Sequence, residues 1–264
     1  MAEAEIGVIG ISGFSSPFDE GDSIELETPY GSPSAPVGLA EVGGKRVAFL
    51  PRRGVEEEIP PHKIPYRANV WALKEIGVRR ILAPVVCGSL RLDWDLGTFV
   101  VCDQFVDRTW GRADTFYEGP GTTLVSAAEP FCADLNRTLV ETAGELGIPV
   151  LNGGTAVVIQ GPRFSTQAES QWFQQMGWDT VNMITYPECH LARELELCYA
   201  NLSIVTDYDV GIEGAGAVSA FSVARVLTDK REQLRELLHA AIPRVGPQPN
   251  DTCATALGRT RVRF

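Results

Sequence analysis

Short, wholly apolar segments alternate along the chain with longer amphipathic ones. The apolar runs predict strands at Arg46–Leu50, Arg80–Val86, Thr98–Cys102, Thr155–Ile159, Thr180–Met183 and Ala200–Thr206, after an opening strand that runs from Glu5 into a glycine turn. Helices are predicted at Ala68–Ile76, Asp134–Leu146, Ala168–Met176, Glu188–Leu197 and Ser222–Ile242. Strands that are apolar on both faces and separated by helices are typical of a covered sheet. The pattern therefore predicts an α/β fold with a mixed, mainly parallel β-sheet flanked by helices.

No repeat, linker or change of composition divides the chain. We therefore expect residues 1–264 to form a single domain, and 44% hydrophobic residues are ample for its core. Residues 246–264 contain Pro247 and Pro249 and predict a loosely ordered tail, or one that covers a partner surface.

Charge and cysteine usage narrow the class of protein. A net charge of −11 argues against a nucleic acid or an anionic membrane as partner, and no apolar run reaches the ~20 residues of a membrane span. The six cysteines show no CxxC spacing and the start does not resemble a signal peptide, so we expect reduced thiols in a cytoplasmic protein. Three distant histidines make a zinc site unexpected, and no metal is predicted.

Two carboxylates follow the last predicted strand. Asp207 and Asp209 stand where open α/β sheets bind their ligands, just beyond the carboxyl end of a strand. In apolar surroundings one carboxyl group stays protonated and donates to a ring nitrogen, while the other accepts from an exocyclic amine. The pair therefore favours a heterocyclic base as ligand, and two solvated loop aspartates are the alternative.

Three further segments indicate either a bound anion or a ligand that lies close to the backbone. The glycine turn around Ser12 lacks the full GxGxxG spacing of a dinucleotide site and favours a phosphate loop instead. Arg52 and Arg53 end a strand before a glycine, which suits phosphate as well as a solvated surface pair. The turn at Cys87-Gly88 allows a ligand to approach the backbone, although a tight structural turn explains it equally well.

Motifs spread over nearly the whole chain carry a family resemblance. They are GVIGISGF (7–14), TPYGSPSAP (28–36), Arg52 with Gly54, IPYRANVWALKEIG (64–77), VCGSL (86–90), DQFVDRTWGR (103–112), AEPFC (128–132), VVIQGPRFSTQAES (157–170), VNMITYPE (181–188) and LCYANLSIVTDYD (197–209). The chain resembles the trimeric purine nucleoside phosphorylases, and within them the methylthioadenosine phosphorylase branch. This resemblance implies the nucleoside phosphorylase fold, a pentosyltransferase of purine salvage and a homotrimer. It also implies phosphate as co-substrate, with no metal or organic cofactor.

The resemblance also assigns roles at the base and the ribose. Asp207 and Asp209 would act in catalysis by holding purine N7 and the 6-amino group. Because 6-oxopurine sites typically use an asparagine, the two aspartates favour adenine. The other residues implied to bind base and ribose are Cys87, Gly88, Phe164, Ser165, Met183 and Tyr208.

An apolar pocket for the 5′ substituent is implied by one stripe of the last helix. Val223, Val226 and Leu227 recur there at helical spacing, and Leu124 would come from a neighbouring subunit. Such a pocket suits a 5′-deoxy group such as methylthio, since burying an unpaired hydroxyl costs about 1–3 kcal/mol. Plain helix core is the alternative explanation of the stripe.

The chain departs from the family on the phosphate side. The residues implied to bind phosphate are Ser12, Arg52, Arg53, Val85, Val86 and Ile184. The family usually has histidine at the position of Arg53 and threonines at those of Val85 and Ile184, so donors are lost. Three functions stay open: phosphorolysis of a 5′-deoxy-5′-substituted adenosine, hydrolysis of the same bond by water, and nucleoside binding without catalysis.

Overall fold

The computed structural model describes residues 3–11, 21–120, 122–209, 218–246, 252–258 and 261–262. Ser12 and residues 247–251, 259–260 and 263–264 of the predicted tail lie outside the described residues. Within them, no helix is both long and apolar enough to cross a bilayer.

The described residues form an α/β arrangement of short strands and five α-helices. The strands are β1 Ile6–Gly10, β2 Ser23–Ile24, β3 Val37–Val42, β4 Lys45–Pro51, β5 Arg80–Ser89, β6 Phe99–Val101, β7 Gln104–Arg108, β8 Thr122–Thr123, β9 Val150–Asn152, β10 Thr155–Ile159, β11 Thr180–Asn182, β12 Cys198–Tyr208 and β13 Arg261–Val262. The helices are α1 Tyr66–Glu75, α2 Ala133–Leu146, α3 Gln167–Gln175, α4 Thr185–Glu194 and α5 Ala220–Ala241.

One large mixed sheet organises the fold. Its strands follow the order β2-β3-β4-β1-β5-β11-β10-β7, and β12 pairs with both β5 and β6, which in turn pairs with β9. The pairs β1–β4, β1–β5, β5–β12, β6–β9, β7–β10 and β10–β11 are parallel. The pairs β2–β3, β3–β4, β5–β11 and β6–β12 are antiparallel. The predicted fold class, mixed and mainly parallel, is confirmed.

Apolar side chains bury both faces of this sheet. One cluster joins Leu135 of α2 and Leu238 of α5 to Leu202 of β12. The other joins Leu73 of α1 and Leu191 of α4 to strand residues of the opposite face. Burial on two faces explains why the strands are apolar throughout.

Every predicted element has an observed counterpart, but strands β2, β3, β8, β9 and β13 were not predicted, and two further differences are instructive. Helix α4 spans Thr185–Glu194, but Tyr186 has extended backbone angles (φ −106°, ψ 136°), so the continuous helical turns start only after it, close to the predicted Glu188. Strand β7 was not predicted, since it is a polar edge strand whose side chains are partly or fully exposed.

Candidate active site

A cavity of about 410 Å³ opens at the carboxyl ends of β5, β10, β11 and β12. Helix α5 and the segment after β4 complete its wall. Of the predicted site residues, the structure brings the following to this cavity: Arg53, Val86, Cys87, Gly88, Phe164, Met183, Ile184, Asp207, Asp209, Val223 and Leu227. These predicted residues therefore converge on one cavity, although several individual assignments change.

A β-bulge places the two carboxylates. Strand β12 runs parallel to β5, with Val205 opposite Cys87 and Asp207 opposite Gly88, so Thr206 is the extra residue. A Cβ atom on Gly88 would lie only 2.8 Å from Asp207 Oδ1. The absence of a side chain at Gly88 therefore allows Asp207 to fold back over β5.

Burial changes the acidity of Asp207. The pKa of Asp207 is raised to about 6, mainly by removal from water and to a smaller extent by the nearby charge of Asp209. The Thr206 hydroxyl, which donates to Asp207 Oδ2 at 2.9 Å, opposes this shift. A carboxyl group with such a pKa gives and takes a proton near neutral pH, as a general acid requires.

Asp209 is the more deeply placed carboxylate. Its residue is 3% exposed, and its backbone N–H donates to the Ser89 carbonyl at 2.9 Å. The alternation of a strand puts Asp207 and Asp209 on one face and Tyr208 on the other. Tyr208 accordingly packs against the apolar cluster around Phe173, and its predicted contact with the base is corrected.

Cys87 contributes shape to the cavity. Its thiol donates to the Ile204 carbonyl at 3.4 Å, and burial raises the pKa of this thiol well above its ordinary value. A protonated, buried thiol is a poor nucleophile.

Aromatic and thioether side chains form the far wall. Phe164 is 41% exposed and lines the cavity, as does Met183. The neighbouring Ser165 is buried and does not line the cavity, so its predicted contact with the base is corrected to a place behind the wall.

Arg112, which the sequence analysis missed, fixes this wall from behind. Its guanidinium donates to the carbonyls of Gln160 at 2.7 Å, Met183 at 3.0 Å and Ile159 at 3.3 Å. It therefore ties the ends of β10 and β11 together, directly behind Ile159 and Met183 of the cavity wall. Only the TWGR sequence after β7 could have drawn attention to it, and a lone arginine in a loop gives no such signal.

Arg52 is not placed to bind phosphate. It is 3% exposed and donates to Glu188 through Nε at 2.7 Å and Nη2 at 2.9 Å. The remaining bonds go to backbone carbonyls, those of Gly10 at 2.8 Å, Pro84 at 3.2 Å and Ile9 at 3.3 Å. Because a guanidinium has five N–H donors, these five bonds use them all. The prediction that Arg52 binds phosphate is therefore corrected to a structural role.

Arg53 is the arginine of this pair that reaches the cavity. It donates through Nε to the Ile59 carbonyl at 2.7 Å and through Nη2 to the Glu57 carbonyl at 3.3 Å. Glu57 also lines the cavity and has a φ of 62°, a left-handed conformation that is rare outside glycine and often marks a functional loop.

The remaining residues that were predicted to bind phosphate lie either in the cavity wall or in the core. Val86 and Ile184 line the cavity, whereas Val85 points to the opposite face of β5 and is 1% exposed. The predicted role of the Val85 side chain is therefore corrected, because successive side chains of a strand alternate between its faces.

Helix α5 presents a longer face than the sequence analysis assigned. Val223 and Leu227 line the cavity, whereas Val226 does not and its predicted role is corrected. The missed members of this face are Ala220, Ala224, Thr228 and Arg231. With Val223 and Leu227, these residues form two rows at i, i+4 and i+8 along the helix. A search for apolar residues alone overlooks such rows, because Thr228 and Arg231 are polar. Leu124 is exposed outside this cavity, and its contribution to a neighbouring site stays a prediction.

Fold and cavity together define an α/β protein with a cavity at the carboxyl ends of sheet strands, where proteins of this class bind their ligands. Residues 5–243 match the model of the Phosphorylase superfamily, and the chain belongs to that family.

Named relatives agree with this membership. The chain is 48% identical over 253 residues to S-methyl-5′-thioadenosine phosphorylase of Pyrococcus abyssi, covering 96% of this chain and 97% of the relative. It is 45% identical to a purine nucleoside phosphorylase of Streptomyces coelicolor, covering 97% and 95%. The solved structure of methylthioadenosine phosphorylase from Schistosoma mansoni in complex with adenine matches with a TM-score of 0.92, at 36% identity over 98% of this chain and 99% of that one. The predicted resemblance is confirmed.

Proposed function

We propose that this protein transfers a pentosyl group from a 5′-deoxy-5′-substituted adenosine, such as 5′-methylthioadenosine, to phosphate. The products are adenine and the corresponding 5-substituted ribose 1-phosphate. The observation that carries the proposal is the carboxyl pair of Asp207 and Asp209 in an apolar cavity, with the pKa of Asp207 raised to about 6. A structure of a mutant Schistosoma mansoni adenosine/methylthioadenosine phosphorylase in complex with methylthioadenosine, at a TM-score of 0.90, supports the substrate class.

The chemistry follows from charge development on the two halves of the substrate. As the bond between C1′ and N9 lengthens, the ribose becomes cationic and the purine anionic. Asp207 donates its proton to N7 and so neutralises the leaving purine, while Asp209 accepts a hydrogen bond from the 6-amino group. A phosphate oxygen forms the new bond to C1′. The reaction consumes one phosphate and needs neither a redox partner nor a metal.

The α5 face supplies the preference at the 5′ position. Val223 and Leu227 present methyl groups to the cavity, which suits an apolar methylthio group better than a 5′-hydroxyl. We therefore propose 5′-deoxy substrates ahead of adenosine.

Few groups remain to hold phosphate. Of the implied ligands, Arg53 and the backbone at Val86 reach the cavity, and Ser12 lies outside the described residues. We propose Arg53, Val86 and Ser12 as the phosphate contacts and expect weak phosphate binding.

The proposal extends to assembly and compartment. We propose a homotrimer in the cytoplasm, in which Leu124 of one subunit borders the 5′ pocket of the next. Large apolar side chains on the surface of the isolated chain, among them Trp110, Leu124 and Phe221, are consistent with surface that a neighbouring subunit covers.

Product analysis with and without phosphate tests the proposal. The full-length protein is incubated with 5′-methylthioadenosine, and adenine and sugar products are quantified. Adenine release that requires phosphate, with a phosphorylated sugar as product, supports phosphorolysis. Adenine release in phosphate-free buffer with a free sugar would establish hydrolysis instead. Ligand-induced stabilisation without any adenine release would indicate a binding protein.

A further inference from the structure

Three cysteines that lie far apart in the sequence meet in the core. The sulfur atoms of Cys132, Cys198 and Cys253 all lie within 4.8 Å of one another, and the three residues are at most 3% exposed. Cys132 precedes α2, Cys198 begins β12, and Cys253 belongs to the 3₁₀ helix Thr252–Thr255. The cluster therefore joins the C-terminal segment to a helix and a central strand.

The donor set selects a soft cation. Thiolates bind Zn²⁺ and similar ions in preference to Mg²⁺ or Ca²⁺, which require oxygen ligands. With metal–sulfur bonds of about 2.3 Å, sulfur atoms around one zinc ion stand roughly 3.8–4.0 Å apart. The sulfur separations in the cluster, all at most 4.8 Å, are short enough for three thiolates to converge on one ion.

A neighbouring cation balances the charge. Three thiolates and one divalent ion carry a net charge of −1, which is costly in a buried place unless it is compensated. Arg193 is 7% exposed and donates through Nη1 to Cys253 Sγ at 3.9 Å, while its Nε donates to the Ser126 carbonyl at 2.9 Å. The guanidinium thus makes the metal-bound cluster neutral, and a divalent ion fits this balance better than a monovalent one.

We propose that Cys132, Cys198 and Cys253 together bind one Zn²⁺ ion as thiolates, with a water molecule as the fourth ligand. Each thiol releases its proton to solvent when the ion binds, and no oxidation state changes. None of the three residues lines the active-site cavity, so the ion is structural and independent of the proposed reaction. The ion attaches residues 252–258 to the body of the protein. The Leu257 N–H makes a second attachment, because it donates to Glu196 at 3.1 Å.

Cadmium titration of the full-length, reduced protein tests this site, because Cd²⁺ bound to thiolates absorbs in the ultraviolet. We expect saturation at one equivalent per chain and a melting temperature that rises with the Cd²⁺ concentration. Cys253→Ser should weaken the binding at least about 100-fold. Cys189→Ser, which changes a buried cysteine outside the cluster, should bind like the unaltered protein.

Two results would overturn the proposal. One is the absence of a saturable band in the reduced protein. The other is an unchanged titration with Cys253→Ser. Since the cluster lies apart from the cavity, a phosphorolysis assay on the same samples separates failure of this site from failure of the proposed function.

Discussion

The position of Asp207 depends on two neighbours that carry no charge. Thr206 is the bulged residue that turns the strand, and Gly88 leaves the space into which the carboxyl group folds. The same closeness to protein atoms removes water from Asp207 and raises its pKa to about 6. The acidity and the position of Asp207 therefore have one structural origin, so a substitution at Thr206 or at Gly88 should alter both.

Asp207→Asn should lower kcat by roughly 10²–10⁴-fold, because the amide cannot donate a proton to the leaving purine. Steady-state kinetics with 5′-methylthioadenosine would measure the loss, and Asp209→Asn provides the comparison at the other carboxylate. A loss below tenfold for Asp207→Asn would mean that another group activates the purine.

The pH dependence of kcat/KM should report the acidity of Asp207. With a pKa of about 6, the carboxyl is mainly protonated below that pH and mainly ionised above it, so kcat/KM should fall tenfold per unit above about pH 6. The pKa is raised from 3.8, so between these values the folded state holds more protons than the unfolded one, and the contribution of Asp207 to stability falls as pH rises. Asp207→Asn should remove this ionisation from the profile, and an unaltered profile would contradict the assignment.

Gly88→Ala should impair catalysis by displacing Asp207, since the new methyl carbon would lie 2.8 Å from Oδ1. We expect kcat/KM to fall by about 10- to 100-fold, as for a misplaced catalytic group. Gly38→Ala, on strand β3, is the matched control, because a Cβ atom there would come no closer than 3.8 Å to its surroundings. Equal kinetics for the two variants would show that Asp207 does not depend on Gly88.

At the scale of elements, the ends of β1 and β4 and the middle of β5 are joined to α4 through one buried ion pair. Arg52 at the end of β4 binds Glu188 of α4 and the carbonyls of Ile9, Gly10 and Pro84. Helix α5, by contrast, closes the cavity with an uninterrupted face. The ion pair of Arg52 and Glu188 supports the site from behind, whereas α5 determines which substituents fit inside the cavity.

Arg52→Ala should destabilise the protein by about 3–5 kcal/mol, because it leaves Glu188 buried without its partner. Thermal unfolding would show a melting temperature lower by on the order of 10 °C. Arg53→Ala should instead raise the KM for phosphate about tenfold with a smaller change in stability. An Arg52→Ala variant of unaltered stability with a raised phosphate KM would place Arg52 on the phosphate after all.

Val223→Thr should shift substrate preference towards adenosine, because the new hydroxyl offers a partner to the 5′-hydroxyl and none to a methylthio group. We expect the ratio of kcat/KM for 5′-methylthioadenosine to that for adenosine to fall about tenfold. Val226→Thr makes the same change on the same helix outside the cavity lining and should leave the ratio unaltered. An equal shift in both variants would mean that α5 does not face the 5′ position in the way proposed.

At the scale of the whole molecule, the described chain leaves large apolar side chains on its surface. Trp110 and Phe221 are 74% and 81% exposed, and Leu124 is also exposed. Apolar surface of this kind commonly marks an interface. The proposed trimer covers such surface and supplies Leu124 to a neighbouring site.

Light scattering coupled to size-exclusion chromatography should give a molar mass three times the chain mass of 28.7 kDa. The mass should stay constant on dilution to the concentrations used in activity assays, as expected for an obligate assembly. A fully active species with the mass of one chain would refute the trimer.

The chain's own pattern determined the class of fold, most element positions and the two aspartates. Apolar runs and helical spacing are local properties, and Asp207 and Asp209 follow a recognisable strand. Parallel strands also end at one edge of a sheet, which made the location of the cavity predictable.

Only the tertiary structure decided which of two similar residues, adjacent in sequence, faces the cavity. Arg52 and Arg53 look alike in sequence, as do Val85 and Val86. Only Arg53 and Val86 line the cavity, because the buried Glu188 binds Arg52 and strand alternation turns Val85 to the other face. The meeting of Cys132, Cys198 and Cys253 was likewise hidden, because their sulfur atoms converge across distant elements. Spacing along a chain carries no information about such convergence, since the sheet topology, rather than the sequence interval, sets the distance between side chains.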